Sequence, residues 1–226
     1  MNSLIYAPSG GGKTWNATLV AAPNRGKNLL LCSDNSHIVL NNTARDNLDI
    51  QVVEHWLDKD KDNNPQNYFI KQFDEAVESQ KYDNIIVDNI SDIFDMAILE
   101  YEENGRVKDI RQIYQAVYQA LKRLARRAAQ VDCNVVFTAW TDLQQITLPG
   151  GEQVVRTQPK LPNKILDNFL GLTQIVAYIN TAKDKNGNKR WYYVLEGAPE
   201  LYAKDQAFAR KNCLPENLFT EVANVK

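Results

Sequence analysis

The chain has few cysteines, almost no net charge and no long apolar run, and each absence narrows what it can be. Cys32, Cys133 and Cys213 are odd in number, widely separated and without CxxC spacing, and two of them sit in apolar runs. This argues against a disulfide or cysteine–metal framework and for buried thiols in a reducing cytosol. With 26 basic and 28 acidic residues the formal net charge is −2, so nucleic-acid binding would have to come from a local patch and not from a global field. No apolar run approaches the roughly 20 residues of a membrane-spanning helix. The first apolar run is broken at once by Pro8 and the glycines after it, which is not a secretory pattern. The expectation is a soluble, cytoplasmic protein that does not engage a membrane. There is no internal repeat and no clear linker, and 226 residues with 44% apolar and 24% charged side chains suit one well-buried domain over residues 1–226.

The most specific feature present is Ala7-Pro8-Ser9-Gly10-Gly11-Gly12-Lys13-Thr14, which follows the apolar run Leu4-Ile5-Tyr6 and leads into a predicted helix from Thr14 to Ala22. This is a Walker A phosphate-binding loop in its expected setting. Three consecutive glycines let the backbone bend so that successive N–H groups point inward at phosphates, at the positive end of the following helix. Lys13 would reach the β- and γ-phosphates, and the Thr14 hydroxyl would ligate Mg²⁺. Pro8, Ser9, Gly10, Gly11 and Gly12 complete the nucleotide-binding set. The first position is Ala7 and not glycine, which the loop tolerates because that residue belongs to the strand end. With the loop starting at residue 7, no accessory domain is expected ahead of it.

Farther along, Leu29-Leu30-Leu31-Cys32 and Ile85-Ile86-Val87 are continuous apolar runs of the kind buried in parallel sheets, ending at Asp34 and Asp88. Asp49 to Val53 is a further candidate strand, and the charged run Asp58 to Asn64 reads as a solvated loop. Pro65 opens a helix to about Gln80 with Phe69, Phe73, Ala76 and Val77 at helical spacing. Another helix runs from about Ser91 to Glu103. A long one from about Asp109 to Gln130 carries Ile110, Ile113, Val117, Leu121, Leu124 and Ala128 on one face. Asn134 to Ala139 is again a strand. Strands alternating with helices imply right-handed βαβ units and an α/β fold with a mostly parallel sheet flanked by helices. In such sheets ligands bind beyond the C-terminal strand ends, where Ser9 to Thr14, Asp34, Asp88 and Thr138 gather. From about residue 141 the pattern becomes antiparallel. One hairpin turns at Pro149-Gly150-Gly151 and another at Asn186-Gly187.

Asp88 fits a Walker B acid that holds Mg²⁺ directly or through water; a strand-end acid or helix cap is the plainer alternative, since Asn89 and Ser91 also suit a helix start. Asn89 stands where many ATPases carry a catalytic Glu. That directs attention to Asp34, which could orient the attacking water or simply cap a helix or structure a loop. Thr138 is a candidate γ-phosphate sensor, and Trp140 beside it could equally be packing. Between Gly105 and Gln130 the residues Arg106, Lys108, Arg111, Lys122, Arg123, Arg126 and Arg127 face Asp109 alone. They form either a phosphate-backbone contact, a subunit contact near a neighbour's ATP, or the solvated face of an amphipathic helix.

With the loop, Asp34, Asp88 and Val135-Val136-Phe137-Thr138-Ala139-Trp140 in this order, the chain resembles the small phage-encoded ATPases of the RecA-like superfamily. It looks most like the RecA-like branch of phage single-strand annealing proteins, a group of AAA-domain nucleotide-binding proteins. The similarity covers most of the chain, including Pro159-Lys160-Leu161-Pro162 and Ala203-Lys204-Asp205. The resemblance implies a RecA core, ATP and Mg²⁺ binding, single-stranded DNA binding and self-association into rings or filaments in the bacterial host cytoplasm. A phage or host single-strand-binding protein is the further partner it suggests. It places the catalytic acid, usually Glu in the family, at Asp34, a departure that bears on the rate of hydrolysis. It places DNA-binding loops at Glu102 to Arg111, with Arg106, Lys108 and Arg111, and at Thr141 to Lys164, with Lys160 and Lys164. Lys183, Arg190 and Lys204 are candidates for a trans-acting cation. The expected activity is a DNA-stimulated ATPase that anneals or exchanges strands in phage recombination. A nucleotide-gated oligomerisation module with slow or no hydrolysis is the alternative. A small-molecule P-loop kinase fits less well, because two candidate strands separate the loop from Asp88 and no Arg-rich lid is present.

Overall fold

The structure is a computed structural model and describes residues 1–20, 26–41, 46–57, 67–105, 107 and 109–221. Its strands are β1 (Asn2–Ala7), β2 (Asn28–Cys32), β3 (Leu48–Val52), β4 (Asn84–Asp88), β5 (Asn134–Thr147), β6 (Gln153–Pro159), β7 (Ile175–Lys183), β8 (Lys189–Val194), β9 (Lys204–Asp205) and β10 (Asn212–Cys213). Its helices are α1 (Lys13–Leu19), α2 (Tyr68–Glu78), α3 (Ile90–Asn104), α4 (Ile110–Ala128) and α5 (Asn163–Leu172), with a 3₁₀ segment at Asn35–Leu40 and another at Pro215–Asn217. The strands join one sheet in the order β10-β8-β7-β1-β5-β4-β2-β3, with β6 on β5 and β9 on β7. From β7 to β3 along this order every pairing is parallel; β6, β8, β9 and β10 are antiparallel additions. The α/β architecture expected from the alternating runs is therefore present, with the hairpins after residue 140.

The continuous apolar strands are buried on both faces because each face carries its own core. Leu4, Tyr6, Leu31, Val87, Val135 and Phe137 point to the side covered by α2, α3, α4 and α5. Their neighbours Ile5, Leu30, Ile86, Val136 and Ala177 point to the side covered by α1 and the C-terminal segment. On α4 the residues Ile113, Val117, Leu121, Leu124 and Ala128 are buried as the spacing predicts, whereas Ile110, in the first turn, is 43% exposed. The Asp109 carboxylate accepts from Arg111 N at 2.9 Å and starts this helix. α3 ends at Gly105 in the left-handed region, φ 66°.

Three boundaries differ most from those read off the pattern. α1 ends at Leu19 and not at Ala22. α2 begins at Tyr68, and Pro65 lies outside the described residues, as does the charged run to its N-terminal side. β5 does not end at Ala139 but runs on to Thr147. Its first half is an apolar sheet strand and its second half is the polar arm of a hairpin, so the change in composition marks where the strand leaves the core and not where it stops. Seven residues of β5, from Thr141 to Thr147, pair with β6 beyond the core, an extension of roughly 23 Å.

Candidate nucleotide site

β1 runs parallel to β5 on one side and to β7 on the other, so the loop after Ala7 emerges at the C-terminal edge of the sheet between two hairpins, β5–β6 and β7–β8. Gly10 and Gly12 have φ of 72° and 75°, a backbone conformation glycine alone adopts freely. Gly11 is required for a different reason: a Cβ there would lie 2.7 Å from Ala7 Cβ and 2.8 Å from Pro8 O. The Gly11 N–H closes the turn onto Pro8 O at 2.9 Å. Lys13 is buried, and its ammonium donates to Pro8 O at 3.1 Å and Ala7 O at 3.4 Å. Burial lowers the pKa of this ammonium, and Asp88 and Asp34 oppose that shift.

The end of β4 is where the polar groups converge. Asp88 is 2% exposed, and its carboxylate accepts from three hydroxyls carried by three elements. Thr14 Oγ1 donates to Oδ2 at 2.5 Å, Ser36 Oγ donates to the same oxygen at 2.9 Å, and Thr138 Oγ1 donates to Oδ1. The strand order produces this meeting: β5 lies between β1 and β4, and Val87 pairs with Phe137, so Thr138 follows at the level of Asp88. Hydroxyl and carboxylate oxygens are the donor set a hard divalent cation such as Mg²⁺ takes, with phosphate oxygens filling the rest of the shell. Among the described residues no group of three or more His, Cys, Asp or Glu side chains could hold a metal. The oxygen cluster together with the glycine cradle thus fits a phosphate-bound cation and not a protein-only metal site.

Asp34 caps the 3₁₀ segment, its Oδ1 accepting from Ser36 N at 2.8 Å. Asp34 thereby sets the direction in which Ser36 reaches Asp88. Asn89 caps α3, its Oδ1 accepting from Asp92 N at 2.9 Å, and the Asp88–Asn89 peptide is cis. In the same turn Ser91 Oγ accepts from Trp140 N at 3.0 Å and donates to Lys160 O at 2.8 Å, which ties the start of α3 to the base of the β5–β6 hairpin. Asp92 accepts from Ser33 Oγ at 2.6 Å. Burial raises the Asp92 pKa, with Asp34, Asp95 and Asp88 adding to the rise against the Ser33 hydrogen bond.

Pro8, Ser9, Gly10, Gly11, Gly12, Lys13, Thr14, Asp88 and Thr138 therefore share one end of the sheet, with Asp34 adjoining through Ser36. The cations spread out. Arg106 and Lys108 lie outside the described residues. Arg111 is exposed and 3.7 Å from Asp109. Lys160 lies over the Trp140 ring, 4.9 Å from its centroid, and 3.8 Å from Asp95. Lys164 is exposed at the start of α5. Lys183 pairs across the β7–β8 hairpin with Lys189, and Arg190 is 3.5 Å from Asp184. Lys204 sits in β9 opposite Val176, near the start of β7 and away from the loop. Lys122 to Arg127 occupy the end of α4 that leads into the start of β5, the edge of the sheet opposite the loop. There Arg123 and Arg127 share an open groove with Asp74, Glu75 and Glu78 of α2.

Ser36 and the Ser33–Asp92 pair were not singled out by sequence reasoning, and Ser91 was read only as suiting a helix start. A hydroxyl two residues after Asp34 was a usable signal for Ser36, whereas Ser91 gains its meaning only from the strand that packs above it.

A glycine loop on the central strand, a buried acid two strands away and a sensor strand between them define a P-loop nucleotide-binding protein of RecA-like fold. Within that class the chain belongs to the AAA domain family, whose model matches residues 1–207. No curated protein matches the sequence. Among solved structures the flagellar accessory protein FlaH from Methanocaldococcus jannaschii is similar at 12% identity and a TM-score of 0.44, over 93% of this chain and 82% of FlaH. The assembled ATPase EscN of the enteropathogenic E. coli type III secretion system is similar at 14% identity and a TM-score of 0.46, over 79% of this chain and 42% of EscN. The chain thus matches under half of EscN's length. No described helix is long and apolar enough to cross a membrane.

Proposed function

We propose that the chain binds ATP with Mg²⁺ at the glycine loop, hydrolyses it slowly, and presents the β5–β6 hairpin as the surface through which the nucleotide state is read by a partner or a second copy. The observation that carries this reading is the buried Asp88 carboxylate, held by Thr14, Ser36 and Thr138 directly beside the loop. Bound Mg²⁺·ATP supplies the phosphoanhydride and a cation that offsets charge on the phosphates. The loop amides and Lys13 bind the phosphates, Thr14 and Asp88 hold the cation, and Thr138 fixes the orientation of Asp88. Asp34 is the acid assigned to orient the attacking water, and its short side chain, shared with the cap to Ser36, supports slow turnover.

Ser91 links this site to the hairpin by bonding both of its strand bases, Trp140 and Lys160. The hairpin has the character of a protein contact. Leu143 and Val155 are 66% and 56% exposed on its outward face, and between Thr141 and Pro159 its only cation is Arg156, against Asp142 and Glu152.

A DNA-stimulated ATPase that promotes annealing or strand exchange in phage recombination is the second reading, and what favours it is the exposed pair Lys160 and Lys164 at the hairpin base. The deciding experiment is Mg²⁺-dependent ATP binding and hydrolysis, with and without single-stranded DNA, in the native chain and in Lys13→Ala. Binding should be abolished in the variant. Turnover that stays slow and indifferent to DNA supports the gated module, and stimulation by DNA that vanishes in Lys13→Ala selects the recombination reading. Binding that survives Lys13→Ala sinks both.

A further inference from the structure

The cation-bearing end of a nucleotide at this loop is confined to one side of β1. Asp88 and Thr138 lie on β4 and β5, which succeed one another on that side, while β7 and β8 occupy the other. A triphosphate whose terminal groups lie toward Asp88 directs its ribose and base toward β7 and β8. The side chain standing there is Trp191 of β8.

Strand pairing sets its position. Tyr6 of β1 is level with Tyr178 of β7, and Trp191 pairs with Thr181, three residues farther toward the loop. The Cη2 and Cζ2 atoms of its ring lie 3.2 and 3.3 Å from where a Cβ on Gly12 would sit, so the indole packs directly on the last glycine of the loop. Two residues along on the same strand face, Tyr193 is fully buried and its hydroxyl donates to Asn16 O of α1 at 3.1 Å. That bond fastens β8 to α1 and with it the height of Trp191 over the loop. Trp191 itself remains partly exposed, and the Lys189 ammonium lies 4.3 Å from its ring centroid.

We propose that Trp191 is the aromatic surface against which the base of the bound nucleoside triphosphate stacks, with Lys189 as the neighbouring cation on the ring. The inference rests on the nucleotide reading above and adds to it the wall that holds the base. A flat indole attracts every base through its π-face without reading exocyclic groups. The site therefore discriminates little between bases, adenine and guanine included. Gly12 serves this arrangement as well as the loop, because any side chain there would press on the ring.

The test is equilibrium binding, by calorimetry on the full chain with Mg²⁺, of ATP, GTP and inorganic tripolyphosphate. The proteins compared are the native chain, Trp191→Ala, Trp191→Leu, Trp191→Phe and Lys13→Ala. Loss of the indole should weaken ATP and GTP alike by about ten-fold in the Ala and Leu variants, and leave tripolyphosphate within about two-fold. Trp191→Phe should keep most of the nucleotide affinity. The Leu variant retains apolar bulk on Gly12, so a result there stands even if Ala disturbs the loop. Equal weakening of ATP and tripolyphosphate, or unchanged ATP binding in both variants, overturns the assignment and makes Trp191 loop packing. If Lys13→Ala binds ATP and tripolyphosphate as the native chain does, the nucleotide reading fails and takes this one with it.

Discussion

The acid at the end of β4 and the cations along α4 hold charge in opposite ways. Asp88 is almost fully buried, and hydroxyls from α1, the 3₁₀ segment and β5 are already aimed at its two oxygens. Lys122, Arg123, Arg126 and Arg127 stand partly or wholly in solvent. Arg127 meets Asp74 at 3.3 Å with both side chains about two-fifths exposed. Removing a charge from water is tolerated only where donors are prearranged, so the surroundings of Asp88 are closely specified. An exposed charge is screened, and its partners are interchangeable at little cost. The difference also shows how a run of like charge can mislead. Along the sequence the α4 cations face one acid, Asp109; in the fold, Asp74, Glu75 and Glu78 arrive from α2, about 50 residues earlier, to line a groove with Arg123 and Arg127, and Asp167 of α5 lines another with Lys122 and Arg126.

The contrast breaks most visibly at Asp88. Asp88→Ala leaves the hydroxyls of Thr14, Ser36 and Thr138 without their common acceptor and removes a negative charge near buried Lys13, and it should destabilise the chain by about 2 kcal/mol or more. Asp88→Asn, which keeps one acceptor oxygen, should cost less while still losing Mg²⁺-dependent nucleotide binding. Urea unfolding of the three proteins measures both steps. A loss for Asp88→Ala below about 0.5 kcal/mol would put this acid in the same category as the exposed charges of α4.

Asp92 sharpens the contrast because it lies between the extremes, partly buried with one hydroxyl donor. Burial raises its native pKa above the unfolded value of 3.8, so the native state holds this proton to higher pH than the unfolded chain does. Its favourable contribution is fully present below about pH 3.8 and is lost as pH rises through the raised native value; at neutral pH the ionised group is a net cost. Asp92→Asn keeps an acceptor for Ser33 Oγ and has no proton to lose. The variant should therefore be more stable than the native chain at pH 7, with the gain shrinking toward pH 4. Unfolding curves across that range are the check, and a gain that is flat in pH would mean that titration of Asp92 is not its source.

What was legible in the sequence was local. Eight consecutive residues encode the loop, and the apolar runs ending near Asp34, Asp88 and Thr138 encode three strands whose ends share one edge. The parallel sheet follows from those runs because strands buried on both faces have no polar alternation to lose. What was not legible depends on contacts between distant segments. Trp191 reaches Gly12 from 179 positions away, and Ser91 matters only because Trp140 and Lys160 lie above it. The end of β5 was misplaced because composition reports burial, and the strand outlasts its burial.

The smallest expected effect lies on α4 and completes the comparison. Lys122→Ala combined with Arg126→Ala removes two cations from a long helix whose buried stripe, Ile113, Val117, Leu121 and Leu124, is untouched. Stability should change by no more than about 0.5 kcal/mol, since exposed charges contribute little and alanine favours the helix. The same variant separates two meanings of the basic run. If these cations contact phosphate backbones, single-stranded DNA binding should weaken and its salt dependence should flatten, because binding through fewer phosphate contacts releases fewer counterions. The fold argues for no change: this end of α4 leads to the edge of the sheet opposite the loop, Lys122 and Arg126 line a groove with Asp167, and the neighbouring Arg123 and Arg127 share theirs with Asp74, Glu75 and Glu78, carboxylates that repel a polyanion. A reduced salt slope in the double variant would show that the α4 face outcompetes its acidic neighbours, and would move the nucleic-acid surface from the hairpin base to the far end of the molecule.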